Sequence, residues 1–512
     1  MKSFAFAVAL ACGFVIGGAH AAMTLSPRGT GQVLLYPAYS VIGGQSTLVT
    51  LVNTSARAKA VQLTFREGYM GREVITVRLF LGPRDVWNGT AFQLSTVSQE
   101  PALIASDRSC AVPVTIGGTL PLPDGRIAWQ FSRANIGDLP IALALYKPWQ
   151  GSIEAIELGE IKSGSALAAA VTAANGQPPS CAGVDSADLS TALDPPGGKL
   201  YGSFALVNAG AGSIFSGNAT AIDGFSVTSL GGLPLADLAQ GRTSAGAADP
   251  VEARVDVDGR QVVVKYPRER AIDAVSALLM ADAVSGEFVV DPIAGAKTDW
   301  VLTMPTRRYY VDPAAGGQQT PPFNGLPHMA PGGPCSYYDV DVRDRDQNAI
   351  TPQSTYVPGS PPTPTAVRHE GTHPSILFPI VPTRSAHALC TPSEVIAFSR
   401  FANGPNAPRM SGVVQNYQLF ELLDANVTAT GGAARLQLGA PDPAAPGGGT
   451  QSILPAGVEG PALRGTPVIG FAATLYINGV TVPGFAISYT SAVPLHTEAA
   501  CATSTGAVAA CP

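Results

Sequence analysis

The chain has 512 residues, 46% hydrophobic and 13% charged, with a formal net charge of −6. This apolar content excludes a disordered chain, and the acidic balance excludes nucleic acid or an anionic membrane surface as an electrostatic partner. With 56 Gly and 44 Pro, the composition predicts many short elements joined by turns rather than long helices.

Taken in order, the chain opens with Lys2, an apolar run from Phe4 to Ile16 and the small-x-small site Ala19-His20-Ala21. This pattern predicts a secretory signal peptide over residues 1–22, cleaved after Ala21 or Ala22. A lipoprotein at Cys12 is the weaker alternative, because apolar residues continue past the cysteine. From Gly31 to Phe92, four apolar runs separated by Gly and polar turns read as antiparallel sheet. Val61, Leu63 and Phe65 alternate with Gln62, Thr64 and Arg66, the period of a half-buried strand. Asn53-Thr54-Ser55 and Gly68 to Gly71 mark reversals.

Pro101 to Gly125 reads as loop, Arg126 to Tyr146 as short strands (IAWQFS, LPIALALY), and Ser152 to Leu158 as strand. Ser165 to Ala174 is a short Ala-rich helix. Leu200 to Asn208 and Ala211 to Ile222 read as strands, and Leu230 to Gln240 as a helical turn. Asp258-Gly259 predicts a hairpin over Ala253 to Tyr266. In Ala271 to Val284, Ile272, Val275, Leu278, Leu279 and Ala283 form one apolar stripe, predicting an amphipathic helix that Gly286 ends. Phe288 to Val290 and Asp299 to Val311 follow as strands. Pro313 to Pro382 is rich in Pro, Gly, Thr and Gln and reads as a long loop. Val395 to Ser399, Gly412 to Leu423 and Ala434 to Leu438 are strands, and Thr466 to Tyr489 is a hairpin around Asn478-Gly479.

These elements predict a mainly β protein: an antiparallel β-sandwich, Ig-like or jelly-roll-like, with one or two short helices and a long Pro-rich loop. The expected divisions are an N-terminal sandwich region (23–225), a hairpin-helix-strand region (226–312), the Pro/Gly-rich loop region (313–385), C-terminal strands (386–498) and a small-residue tail (499–512). No run past the leader approaches the length of a membrane helix, so no transmembrane segment is expected in the mature chain. Cys110, Cys181, Cys335, Cys390, Cys501 and Cys511 form an even set, which in an exported chain predicts disulfides. Many connectivities are open, and pairing of sequence neighbours is the expectation: 110 with 181, 335 with 390, 501 with 511. Metal thiolate is the rival, but no two cysteines stand two to four residues apart.

Several stretches, among them GQVLLYPAYS, AKAVQLTFREG, LGPRDVW, IEAIELG, TDWVLTMPTRRYYVD and TPVIGFAATLYINGV, resemble a family of exported proteobacterial proteins with no assigned activity. The resemblance runs from Gly29 to about His496 and implies structural cysteines and a large β-rich fold. It supplies no catalytic residue. The Pro-rich insertion from Pro358 to Thr365, and Cys501 with Cys511, depart from it.

One formal motif carries chemistry. His369-Glu370-Gly371-Thr372-His373 fits H-E-x-x-H, in which His369 and His373 would hold zinc and Glu370 would polarise the bound water. The motif needs a helix, and Gly371 with Pro374 opposes one. His328, His369, His373 and His387 share the loop region with Asp339, Asp341, Asp344 and Asp346, so a metal there is a second possibility. The run DVDVRDRDQN lacks the Gly of a calcium loop, and Arg343 and Arg345 can neutralise its aspartates. Glu154 and Glu157, three apart on a strand, point to opposite faces and cannot form a glycosidase pair. Trp87, Trp129, Trp149 and Trp300 could serve as sugar platforms or as core. Arg307 to Tyr310 read as part of an amphipathic strand. No G-x-S-x-G elbow, phosphate loop or dinucleotide fingerprint is present.

The expectation is an exported, non-enzymatic protein, periplasmic, on the outer surface or extracellular, acting as a surface, assembly or binding component. It is expected to need no cofactor and to meet a protein or glycan at the cell surface. The alternatives are a metal-dependent hydrolase using loop 328–387 and a carbohydrate-binding module.

Overall fold

The computed structural model describes residues 21–511 except 95–99, 106, 137–146, 175–178, 292–294, 324–333, 352, 358–386, 400–416, 422–429, 441–451, 478–487 and 504–506. The expected strand LPIALALY, the His369-Glu370-Gly371-Thr372-His373 motif, His328, the Asn478-Gly479 turn and most of Gly412 to Leu423 lie outside the described residues.

The protein is mainly β, with several antiparallel sheets and few short helices. A ten-stranded sheet runs in the order Arg260–Tyr266, Val251–Val257, Met23–Leu25, Thr220–Asp223, Val33–Ser40, Gln150–Ile161, Lys59–Glu67, Glu73–Leu81 and Cys110–Thr115, with Leu193–Asp194 off this path. Its neighbours are antiparallel except where Met23–Leu25 meets Val251–Val257. An eight-stranded sheet faces it, built from Gly118–Pro121, Ile127–Gln130, Pro101–Ala105, Val86–Gln93, Ser46–Asn53, Leu200–Asn208 and Ser213–Asn218, with Thr30–Gly31 attached. Between them lie Leu34, Tyr36, Val49, Leu63, Phe65, Trp87 and Phe204, the inward alternates of facing strands.

Two six-stranded sheets form the second half. One joins Ala349–Ile350, Ser336–Asp344, Gly431–Leu438, Ala283–Val289 and His496–Glu498, with Ala388–Leu389 alongside. The other joins Gln353–Val357, Tyr417–Glu421, Ser393–Ser399, Ala296–Thr303, Ile469–Ile477 and Ser488–Pro494. They meet through Phe288 stacked on Phe398 at 4.8 Å and Trp300 edge-on to Phe398 at 5.2 Å. The second of these sheets has two buried faces. Val301, Val395, Phe471 and Ala473 enter the core of the first sandwich, whereas Trp300, Leu302, Ile396 and Ala472 enter that of the second.

Several expectations are corrected. Lys59–Glu67 is buried along its whole length. Gln62, Thr64 and Arg66 lie under a further layer instead of facing water, and Gln62 exchanges hydrogen bonds of 2.7 and 2.9 Å with the backbone of Ala236. Pro101 to Gly125 carries three strands; Pro113 and Pro121 fall on strands at sheet edges, where a missing N–H costs no ladder bond. Ala211 to Ile222 divides into Ser213–Asn218 and Thr220–Asp223, which join different sheets. The amphipathic helix is Ala271–Leu279 and ends well before Gly286, because Met280 turns extended and Ala283–Val289 is claimed by ladders on both sides. The strand expected to reach Val311 stops at Thr303, two residues before Pro305, and Arg308–Val311 is a helical turn. The Thr466 to Tyr489 stretch is no tight hairpin, since Ile477 pairs with Ser488 and residues 478–487 intervene.

Other expectations hold. The hairpin at Asp258-Gly259 joins Val251–Val257 to Arg260–Tyr266, with both turn residues at positive φ. Three disulfides link Cys110 to Cys181, Cys335 to Cys390 and Cys501 to Cys511.

Candidate functional site

The outer face of the sheet containing Ser336–Asp344 holds an open groove of about 340 Å³ lined by Ser285, Gly286, Asp341, Arg343, Ala433, Ala434, Arg435 and His496. Register builds it. Asp341 pairs with Arg435, Arg435 with Ser285, and Ser285 with His496, so four side chains from four strands form one row on one face. Gly286 has no room for a side chain: a Cβ there would press on Leu495 and Trp300.

The groove's charges are paired, one of them with Glu498 beside it. Arg343 Nε lies 3.1 Å from Asp341 Oδ2, and Arg435 Nη2 donates to Glu498 Oε2 at 2.8 Å. Ser285 and His496 face each other across the ladder, yet no hydrogen bond joins them among the described residues. The groove presents matched charge over an Ala/Gly floor. His496 is the one histidine after residue 22 outside the expected loop cluster; no local signal in the sequence marked the row, because Ala283 and Val284 read as helix and cross-strand register assembles it.

Of the loop aspartates, Asp341 lines the groove, whereas Asp344 accepts from Asp346 N, Asn348 N and Asn348 Nδ2 at 2.8–2.9 Å. The Asn348 side-chain amide, ahead of the backbone N–H groups, holds the Asp344 carboxyl below its ordinary range. This is turn chemistry, and no group of three potential metal ligands occurs among the described residues. The His387 ring stacks on Tyr338 at 5.4 Å, and burial lowers its pKa against the opposing pull of Asp339.

A second concavity of about 550 Å³ lies beside the N-terminal strand, lined in part by Ala21, Gln32, Pro196, Asp223 and Ser226.

The most perturbed groups lie elsewhere. Glu157 is fully buried, accepting from Lys59 Nζ at 2.6 Å and from Gly197 N and Gly198 N at 3.0 and 2.8 Å; burial pushes its carboxyl up to about 7 against the pull of Lys59. Glu154 instead meets Arg66 at 2.6 Å, so the two glutamates serve different partners. Glu394 accepts from the backbone N–H groups of Cys390 and Thr391 beside a disulfide, and burial pushes it, too, up to about 7. Arg307 donates to Pro334 O at 2.6 Å, and burial lowers its pKa to about 10. Arg308 pairs with Asp237 at 3.0 Å, and Tyr310 donates to Asp273 at 2.6 Å. The stretch expected to be an amphipathic strand is thus a buried latch. Trp87 and Trp300 are fully buried and Trp149 nearly so, which places these three in the core rather than on a sugar platform.

No helix among the described residues is long and apolar enough to cross a membrane. No protein-family model, no curated protein and no solved structure matches the chain.

Proposed function

We propose that the protein is an exported, non-enzymatic component of the cell envelope or extracellular space, acting in surface structure, assembly or binding, with the Asp341–Arg435–Ser285–His496 groove as a point of contact. One observation carries this reading. The carboxyls displaced furthest toward neutrality, Glu157 and Glu394, are buried in the scaffold and hold backbone N–H groups, and neither lines either concavity. A catalytic centre brings displaced acids and an accessible cleft together. Three disulfides support an oxidising compartment and hence export.

The test is turnover. Purified mature protein, with and without added zinc, is assayed against ester, peptide and glycoside substrates alongside Ser285→Ala and His496→Ala. No turnover above background is expected. Turnover lost in either variant, or zinc-dependent turnover lost in His369→Ala, overturns the reading.

A further inference from the structure

The strands Ser213–Asn218, Leu200–Asn208, Ser46–Asn53 and Val86–Gln93 are neighbours in the eight-stranded sheet, and not one of their residues is charged. Their burial alternates cleanly, so one face is core and the other meets solvent. Across the solvent face runs the row Asn218–Ser203–Thr50–Asn88, fixed by register. Thr50 Oγ1 donates to Asn88 Oδ1 at 2.9 Å, and Tyr201 OH donates to Asn218 Oδ1 at 2.6 Å, which restrains both carboxamides. Flanking them, Leu48, Val86 and Ile214 are 43%, 42% and 52% exposed. At the Asn88 end of the row the carboxylate of Asp107 is engaged by the backbone N–H groups of Asn88 and Ser109.

From this placement we infer that the charge-free face is a binding surface for an uncharged polysaccharide. Two arguments select that occupant. The first is charge: amide and hydroxyl groups match sugar hydroxyls without desolvating an ion, and a row with no charged side chain, whose neighbouring carboxylate Asp107 is already engaged by backbone N–H groups, gives little electrostatic grip on a charged polymer. The second is size. Four strands about 4.8 Å apart and six to nine residues long make a face of roughly 14 by 17–26 Å, under the roughly 800 Å² per partner of a stable protein interface. The step between side chains along the row is close to the length of one sugar unit, so an extended chain laid across the strands meets successive polar groups.

The inference rests on the non-enzymatic binding reading and adds a partner class and a second surface to it. The experiment uses the mature full-length protein with cellulose, chitin and an insoluble α-glucan as neutral probes and alginate as an anionic one. Retention on at least one neutral polymer is expected. It should weaken roughly tenfold or more in Thr50→Glu and in Ser203→Lys, each of which buries an unpaired charge under the ligand. Val458→Glu, at an exposed site elsewhere, should bind as the unsubstituted protein does. No retention on any neutral polymer, retention unchanged in both charged variants, or a dimer in sedimentation velocity that Thr50→Glu dissociates overturns the inference. Release of reducing ends from a retained polymer leaves this surface assigned and overturns the non-enzymatic reading instead.

Discussion

Replacing Arg72 with methionine tests the ionic tie between the first sandwich and the turn after Ala296–Thr303. Arg72 donates through Nε and Nη2 to both carboxylate oxygens of Asp312 at 2.8 and 3.0 Å, while Nη1 reaches Asn135 O at 3.0 Å. The side chains are 13% and 2% exposed. At this separation and an effective dielectric of ~20, the Coulomb attraction is about 6 kcal/mol. Most of it is offset by taking two ions out of water. Methionine keeps the bulk of the stem but leaves Asp312 buried without its cation, and breaking a buried pair in this way costs about 3–5 kcal/mol. Asp312 keeps one donor, Ala314 N, so the lower end is expected. Urea unfolding of Arg72→Met, Asp312→Asn and the double variant gives the coupling. The double variant, with both charges gone, should lie within about 1 kcal/mol of the unsubstituted protein. A single-variant cost under about 1 kcal/mol, or additivity of the two changes, refutes the tie.

The disulfides should rank by the chain they close. Separations of 71, 55 and 10 residues correspond in the chain-entropy account to about 4.4, 4.2 and 2.7 kcal/mol. Paired Cys→Ala variants compared by denaturant midpoint should therefore show Cys501–Cys511 as the least costly to remove, and a larger loss there than at Cys110–Cys181 contradicts the ranking. Glu394 sets a pH dependence. Its folded pKa of about 7 exceeds its unfolded value, so its contribution is full below about pH 4.5 and is lost as pH rises through about 7, on the order of 3 kcal/mol in all. Glu157 acts in the same window. Glu394→Gln should flatten roughly half the stability change between pH 4.5 and 8, and an unaltered slope in urea titrations argues against it.

How much could be read from the sequence depended on whether a signal was local. Asp258-Gly259 demands its turn whatever surrounds it, and the hairpin formed where expected. Cysteine pairing of sequence neighbours followed because each pair closes within its own part of the fold. Ala271 to Val284 showed the opposite. Its helical stripe is real up to Leu279, but strands far along the chain, Gly431–Leu438 and His496–Glu498, capture the residues from Ala283 onward. The groove was hidden for the same reason: Ser285, Asp341, Arg435 and His496 are brought together by register alone.

The misreading of Lys59–Glu67 explains where function can reside. A strand that alternates apolar and polar residues says that its two faces differ, and nothing about which of them meets water. Around Lys59–Glu67 both faces of the sheet are covered, so Gln62 bonds the layer above through Ala236, while Thr64 and Arg66 are satisfied within the sheet by Thr76 and Glu154 on the flanking strands. The same alternation in Ser46–Asn53 and in Gly431–Leu438 leaves faces open to solvent, and there the chemistry diverges. The strands of one face carry no charged residue, whereas the other carries acids and bases paired with each other. Polar residues on a covered face are fixed by what they must satisfy; on an open face, water would satisfy any of them. On these two open faces side-chain choice is free to answer to a partner, and the difference in charge between them fits the two contacts we propose.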